Sequence, residues 1–381
     1  MKIIHCCLSC FYVDNYSYQE NELIREHVNL NHDVLVIAST ESFGTLQEKV
    51  YIAPNRYIGA EGAKVIRLPF ARWLPLEIMK KIKSYKGLYE ELEEFMPDVI
   101  MFHGISALEL LTVSRFKKNY PGTIFYVDNH ADKNNSARGF FSQFFLHKFF
   151  YKIIIKNCLP QIDKVLCISV ESMNFCSTMY SIPKFMLEFF PLGGHVFTDY
   201  EYFLRRKRVR EKFNLNADSI IFLQTGKFDV KKCLIESLIA FSSVRNKNFR
   251  FLIAGGLDET IKKQVVSLIK NDNRVDFLGW QDSDSLKDLL CAADVYVQPG
   301  SQSATMQMSL CARCPVVLDN VESHQVFMNG NGWLVNDERS LKKVFETIDR
   351  LPVELKSMSH RSLKISQELL DYKRLSKRIL K

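Results

Sequence analysis

The chain has 381 residues, 47% of them apolar and 25% charged, with a formal net charge of +8 and ten cysteines. That length exceeds one ordinary domain and predicts two, and the composition excludes a disordered or fibrous chain. No apolar run reaches the ~20 residues that a membrane-spanning helix needs. The start, Met1-Lys2-Ile3-Ile4-His5-Cys6-Cys7, has neither a long apolar signal core nor a small-residue cleavage site. It reads as a buried strand, which predicts a cytoplasmic protein.

In chain order, the first half shows strands at 2–8, 33–38, 98–102, 123–127 and 164–168, with helices at 19–30, 108–118 and from 171. The second half repeats the pattern, with strands at 219–224, 249–254, 275–278, 294–298 and 315–318. Helices at 232–244, 259–270, 283–291, 304–312 and 341–350 separate or follow them. Strands interleaved with helices of this length imply crossover units and parallel sheets. The expected fold class is therefore α/β, with two Rossmann-like doubly wound domains. Residues 1–190 form the first, 191–365 the second, and 366–381 a C-terminal helix returning to the first. A cleft between two such domains would place ligands at the carboxyl ends of both sheets.

Two C-x-x-C pairs, Cys7/Cys10 and Cys311/Cys314, could together supply four thiolates for zinc. Structural zinc ligands normally share one compact knuckle, and these pairs fall in different expected domains, so no metal is expected. The basic residues cluster in Arg205-Arg206-Lys207-Arg208-Val209-Arg210, in Lys80-Lys81-Ile82-Lys83 and at the C-terminus. Charge alone leaves nucleic acid, an anionic membrane surface and a phosphorylated substrate open. No nucleic-acid motif or aromatic stacking platform accompanies these clusters, so no nucleic-acid partner is expected.

Two segments carry the chemistry. In Leu223-Gln224-Thr225-Gly226-Lys227-Phe228-Asp229-Val230-Lys231-Lys232, a strand is expected to end at Gly226 and a helix to start near Lys232. Cations at a strand end beside a helix N-terminus suit a diphosphate; a solvated lysine-rich loop is the plainer alternative. In the second segment the strand to Gln298 runs into Pro299-Gly300-Ser301-Gln302-Ser303-Ala304-Thr305, where hydroxyl and amide groups open a helix. An ordinary N-cap explains that pattern alone, but two such cradles at strand ends favour a nucleotide diphosphate.

The C-terminal half resembles glycosyltransferases of the GT-B fold, family 4 in particular. There a Gly-Arg segment is followed five residues later by a donor-binding Lys, and Gly226-Lys227 with Lys232 keeps the spacing. Val275-Asp276-Phe277-Leu278-Gly279-Trp280, Ala293-Asp294-Val295 and Cys314-Pro315-Val316-Val317 are also similar to the family. In the first half Tyr18-Gln19-Glu20-Asn21, Pro97-Asp98-Val99-Ile100 and Asp128-Asn129-His130 extend the resemblance to nearly the whole chain. One departure stands out. The family's two glutamates, seven residues apart, fall here on Gly300 and Met308, and neutral polar contacts from the Ser301–Thr305 cluster are the expected substitute.

The resemblance implies a hexosyltransferase that retains configuration at the anomeric carbon, with the acceptor attacking from the face the nucleotide leaves. Lys227, Lys232 and the helix start at Ser303–Thr305 would stabilise charge on the leaving diphosphate. Gly226, Gly300, Ser301, Gln302, Ser303 and Thr305 are the expected donor contacts. The donor is a UDP- or GDP-linked sugar as substrate, with no separate cofactor. His130, after strand 123–127 and flanked by Asp128 and Asp132, is the expected sugar-facing residue. His103 is a second candidate for that wall, and Asp14, Asn15 and Gln19 could reach the acceptor. The acceptor is expected to be a glycan or lipid-linked molecule in surface polysaccharide synthesis, of capsule or lipopolysaccharide. The aromatic and basic stretch 140–153, with Lys80–Lys83, could rest on the inner face of an anionic cytoplasmic membrane or simply pack as a core helix. A non-catalytic partner subunit and a nucleotide-sugar epimerase of similar fold remain as competing readings.

Overall fold

The computed structural model describes residues 1–43, 48–132, 136, 142–216, 218–300 and 303–380. The chain divides into two compact units, Met1–Pro191 with Leu375–Lys381, and Leu192–Arg374.

In the first unit β1 (Lys2–Cys7) leads through α1 (Gln19–Asn29) to β2 (Asp33–Ser39). A small hairpin of β3 (Glu41–Phe43) and β4 (Lys49–Tyr51) follows, then β5 (Arg56–Ile58), β6 (Lys64–Leu68), α2 (Leu76–Ile82) and α3 (Leu88–Phe95). Next come β7 (Val99–Phe102), α4 (Leu110–Asn119) and β8 (Ile124–Asn129). A wide helical turn, Ser142–Tyr151, runs into α5 (Lys152–Cys158), and β9 (Lys164–Cys167), α6 (Val170–Tyr180) and β10 (Leu187–Phe189) complete the unit. The sheet order is β10-β9-β8-β7-β1-β2-β6-β5, parallel except for β5. Its inner strands are mostly apolar because helices cover both faces, although β1 carries the buried His5 and β6 the buried Arg67.

The second unit runs α7 (Asp199–Lys212), β11 (Ile220–Phe228), α8 (Leu234–Ser242), β12 (Phe249–Leu257), α9 (Glu259–Lys270), β13 (Val275–Gly279) and α10 (Ser283–Ala292). It continues through β14 (Val295–Gln298), α11 (Ala304–Cys311), β15 (Val316–Asp319), α12 (Glu322–Gln325), β16 (Gly332–Val335), α13 (Glu338–Arg350) and α14 (Glu354–Ile365); α15 (Tyr372–Arg378) begins here and from Leu375 belongs to the first unit. Six parallel strands lie in the order β13-β12-β11-β14-β15-β16. The helices bury one face each; α13 places Leu341, Val344, Phe345 and Ile348 inward at helical spacing and starts with an Asp337–Ser340 capping box. Beneath β11, the Phe222 ring meets Phe249 and Phe345 edge-on, both at 5.0 Å between centroids. Such pairs each add ~0.5–1.5 kcal/mol beyond area burial and hold the amino-terminal parts of β11 and β12 against α13.

Three expectations need correction. Strands β11 and β12 run past 224 and 254, because Gly226 and Gly255 pair across the ladder instead of ending it. Their φ values are 144° and 147°, and a Cβ on Gly255 would fall 1.7 Å from the Gly226 oxygen, so only glycine lets both strands continue. Helix α8 starts at Leu234 rather than 232: Val230–Lys232 is a tight 3₁₀ turn capped by the Asp229 carboxylate, and Cys233 is left-handed at φ 51°. The basic run in α7 is spent inside the unit. Arg205 and Arg208 reach Asp288 at 2.5 and 2.8 Å, and Arg206 and Arg210 reach Asp294 at 2.5 and 3.3 Å.

Candidate active site

In the second unit the strand order reverses direction between β11 and β14, the place where open parallel sheets bind ligands. Gly226 and Lys232 come together there: a Cβ on Gly226 would lie 3.7 Å from the Lys232 Cε. Lys232 is half-buried, and burial lowers its pKa, so an anion beside it would favour its charged form. Lys227 is exposed one residue beyond Gly226. Under this rim lies a closed polar network. The Tyr296 hydroxyl sits 2.9 Å from Thr225 Oγ1 and donates to Gln298 Oε1 at 3.0 Å. Gln224 Nε2 donates to the Lys232 carbonyl at 2.8 Å, tying the turn to β11.

Helix α11 opens on Ser303, whose hydroxyl accepts the Thr305 N–H at 3.1 Å. The serine therefore covers one of the N–H groups expected to be open to a ligand. Gly300 is locked for a steric reason: a Cβ there would sit 2.2 Å from the Lys231 oxygen and 3.0 Å from the Lys232 carbonyl carbon. No glutamate fits at this position without moving the Lys231–Lys232 turn. Ser301 and Gln302, two of the expected donor contacts, lie outside the described residues.

In the first unit a cavity of about 420 Å³ opens at the carboxyl ends of β1, β7 and β8, lined in part by Glu20, Lys83, His103, Asp128 and His130. Asn129 fixes the loop: its side chain donates to Ser172 Oγ at 2.8 Å, and that hydroxyl donates back to the Asn129 carbonyl at 2.7 Å. His130 follows with its ring 39% exposed and Nε2 3.7 Å from Asp128 Oδ2. Burial opposes a charged imidazole here, but the Asp128 charge outweighs it and pushes His130 up to about 9. Burial alone would also favour neutral Asp128; the charges of His103 and His130 overcome it and hold the carboxyl well below its usual range. Glu20 is pushed up by burial and Lys83 down by burial. The Lys83 ammonium donates to the Ser9 hydroxyl at 3.1 Å. The cavity thus offers a partly exposed imidazole whose buried Nε2 faces a fixed carboxylate that favours its protonated form. Among the described residues no group of three or more His, Cys, Asp or Glu side chains is arranged to hold a metal ion.

Residues 219–351 match the family of glycosyl transferases group 1. Among solved structures, HepE of Anabaena, determined in complex with UDP, is 14% identical with a TM-score of 0.69, covering 100% of this chain and 98% of that one. A glycosyltransferase of Rickettsia africae is 15% identical with a TM-score of 0.70, covering 100% and 96%. WaaG, a glycosyltransferase involved in lipopolysaccharide biosynthesis, is 12% identical with a TM-score of 0.60, covering 99% and 98%. A comparison with curated proteins finds no match. The chain has the GT-B fold and carries a group 1 glycosyltransferase domain.

Within the first GT-B unit the structure separates the expected acceptor residues. Asp14 Oδ2 accepts from the Tyr57 hydroxyl at 2.7 Å and lies 3.7 Å from Arg67. The Asn15 N–H donates to Glu61 at 3.0 Å, and buried Gln19 donates to the Pro191 carbonyl at 2.6 Å. All three therefore brace the loop after β1, and none lines the cavity around His130. His103 does line it, but it is only 2% exposed and its Nδ1 lies 2.5 Å from Asp128 Oδ2. Sequence reading missed Glu20, which adjoins Gln19 on α1, and the buried histidines His5 and His27. His5 sits in the apolar strand β1, and Glu20 and His27 lie among the many polar residues of α1, where nothing local marks them.

The stretch after position 140 is amphipathic. Leu146, Phe150, Ile154 and Ile155 pack inward, while Phe145, Phe149 and Ile153 point outward beside Lys148 and Lys156. Phe140 and Phe141 lie outside the described residues. Trp73, Leu74, Leu76 and Ile78 are also exposed, next to Arg72 and Lys81. The Tyr151 hydroxyl donates to the Lys81 carbonyl at 2.6 Å and joins the two segments at the cavity rim. Among the described residues no helix is long and apolar enough to cross a membrane.

Proposed function

We propose that the second unit holds a UDP- or GDP-linked sugar and that the chain transfers the sugar, with retention of configuration, to a glycan or lipid-linked acceptor taken up by the first. The observation that carries this reading is the pairing of Gly226 with Lys232 at the β11/β14 switch point, inside the segment that matches the transferase family. Lys232 and Lys227 would meet the diphosphate, and the start of α11 would add backbone donors as charge builds on the leaving group. The lysines supply the positive charge, so the proposal invokes no separate cofactor. HepE has been determined in complex with UDP and with UDP-glucose, which supports a uridine donor as the first to try.

On the acceptor side, His130 presents a protonated, partly exposed imidazole suited to a sugar hydroxyl or a phosphate. The exposed apolar side chains Trp73, Leu76, Phe145, Phe149 and Ile153, with Arg72, Lys81, Lys148 and Lys156 near them in sequence, suit an anionic bilayer and thus a lipid-linked acceptor at the inner face of a cytoplasmic membrane. WaaG is a glycosyltransferase involved in lipopolysaccharide biosynthesis, and the likeness to it supports a reaction in surface-polysaccharide assembly, of capsule or lipopolysaccharide.

A thermal-shift screen against UDP, GDP, ADP and CMP tests the donor site. A nucleotide at a hundred times its dissociation constant adds about 2.7 kcal/mol. Lys232→Ala should weaken that nucleotide by roughly 10- to 100-fold, as expected for loss of a charge-assisted contact. No stabilisation by any nucleotide would leave the chain a non-catalytic subunit with a transferase fold.

A further inference from the structure

We infer that His5, His27 and His103 form a positioning device that stores one protonic charge beneath Asp128 and so sets how firmly His130 holds its own proton. The inference rests on the reading of His130 as the acceptor-side group.

Four hydrogen bonds run end to end through the first unit. The Ser376 carbonyl meets His27 Nε2 at 3.0 Å, and His27 Nδ1 meets His5 Nε2 at 2.9 Å. His5 Nδ1 meets His103 Nε2 at 2.9 Å, and His103 Nδ1 meets Asp128 Oδ2 at 2.5 Å. Each link needs one hydrogen, and both ends of the row, a carbonyl and a carboxylate, can only accept. Three neutral imidazoles bring three hydrogens for these four links. With Asp128 ionised, the fourth must come from one imidazolium. A further proton would set two N–H groups against each other, so the row holds a single positive charge.

That charge belongs at the Asp128 end. His5 and His27 have no exposure, and burial lowers the pKa of both, His27 to about 4, whereas His103 touches the carboxylate. Asp128 Oδ1 is occupied by the Gly104 N–H at 2.7 Å, which leaves Oδ2 shared between His103 and His130. Two imidazoliums on one carboxylate oppose each other. The stored charge at His103 offsets part of the Asp128 charge and loosens its hold on the His130 proton. The other titratable groups facing this assembly are Glu20, Cys7, Cys10, Lys81, Lys83, His147, Tyr151 and Cys167, with His32 beside His27 at the far end. None of them completes a link of the row.

Histidine-specific ¹⁵N NMR of the full chain reads the charges without needing substrate, so a failure here is separable from a failure to bind nucleotide. In the wild type, one of the three row imidazoles should be doubly protonated at neutral pH and two neutral. His5→Leu cuts the row, leaves His103 neutral, and should raise the His130 pKa by on the order of one unit. His5→Gln offers His103 an acceptor and His27 a donor, and should return His130 to its wild-type value. Three neutral row histidines in the wild type would overturn the inference, and so would an unmoved His130 in folded His5→Leu. Should His5→Leu fail to fold, the wild-type charge count decides alone.

Discussion

Replacing Gly300 tests whether the absent carboxylate is built into this site or merely lost. A Cβ at Gly300 meets the Lys231 oxygen at 2.2 Å, and that approach can be relieved only by moving the turn, because both partners are backbone. The same turn is held by the bonds from Lys232 N–H to the Asp229 carbonyl at 3.1 Å and from Gln224 to the Lys232 carbonyl at 2.8 Å. Overpacking of this kind costs about 1–3 kcal/mol, and loss of the Gln224 bond about 1 kcal/mol more. At ~2–4 °C per kcal/mol for a domain of this size, Gly300→Ala should melt roughly 4–16 °C lower. It should also bind nucleotide more weakly, since Lys232 leaves its place over Gly226, and Gly300→Glu should be worse on both counts. Calorimetry and nucleotide titration of the two variants supply both readings. A Gly300→Glu protein with wild-type melting and undiminished nucleotide binding would refute the steric argument.

Arg206 joins Asp294 at 2.5 Å and donates to the Ala292 carbonyl at the end of α10 at 2.7 Å. Arg206→Met should cost about 2–3 kcal/mol in urea unfolding, since Arg210 compensates only in part and the pair is not wholly dry. The pH dependence of stability has two opposed limbs. His130 is raised from 6.5 to about 9, so its pairing with Asp128 contributes fully below about 6.5 and is lost as pH rises through about 9. His27 is lowered from 6.5 to about 4, so stability also declines as pH falls from 6.5 towards 4. Denaturation across pH should therefore show a near-neutral optimum, and His130→Ala should flatten only the alkaline limb. Anionic vesicles should co-sediment the protein at low salt. Phe145→Ser with Phe149→Ser should reduce that binding at least tenfold, given ~1.5–3 kcal/mol per buried aromatic; unchanged binding would exclude this face.

The sequence exposes the parallel cores because strands such as β1, β7, β11 and β14 are mostly apolar runs separated by helical periods. Between positions 40 and 97 it is silent. The three-residue strands β3, β4 and β5 are too short to show alternation, and α2 and α3 are barely two turns each. Gly226 and Gly255 read as strand ends because glycine usually interrupts strands; here their lack of a side chain is what lets the ladder go on. The arginine run of α7 looks like a solvated patch, since its partners Asp288 and Asp294 are some 80 residues away in sequence. The Lys232 half of the donor site follows from local spacing, whereas the row from Ser376 through His27, His5 and His103 exists only in three dimensions.

The most direct test of the donor assignment is a crystal structure of the chain with UDP or GDP bound. The diphosphate should lie over Gly226 against the Lys232 ammonium, with the start of α11 facing it. A diphosphate bound away from the β11 and β14 strand ends, with Lys232 uninvolved, would contradict the account.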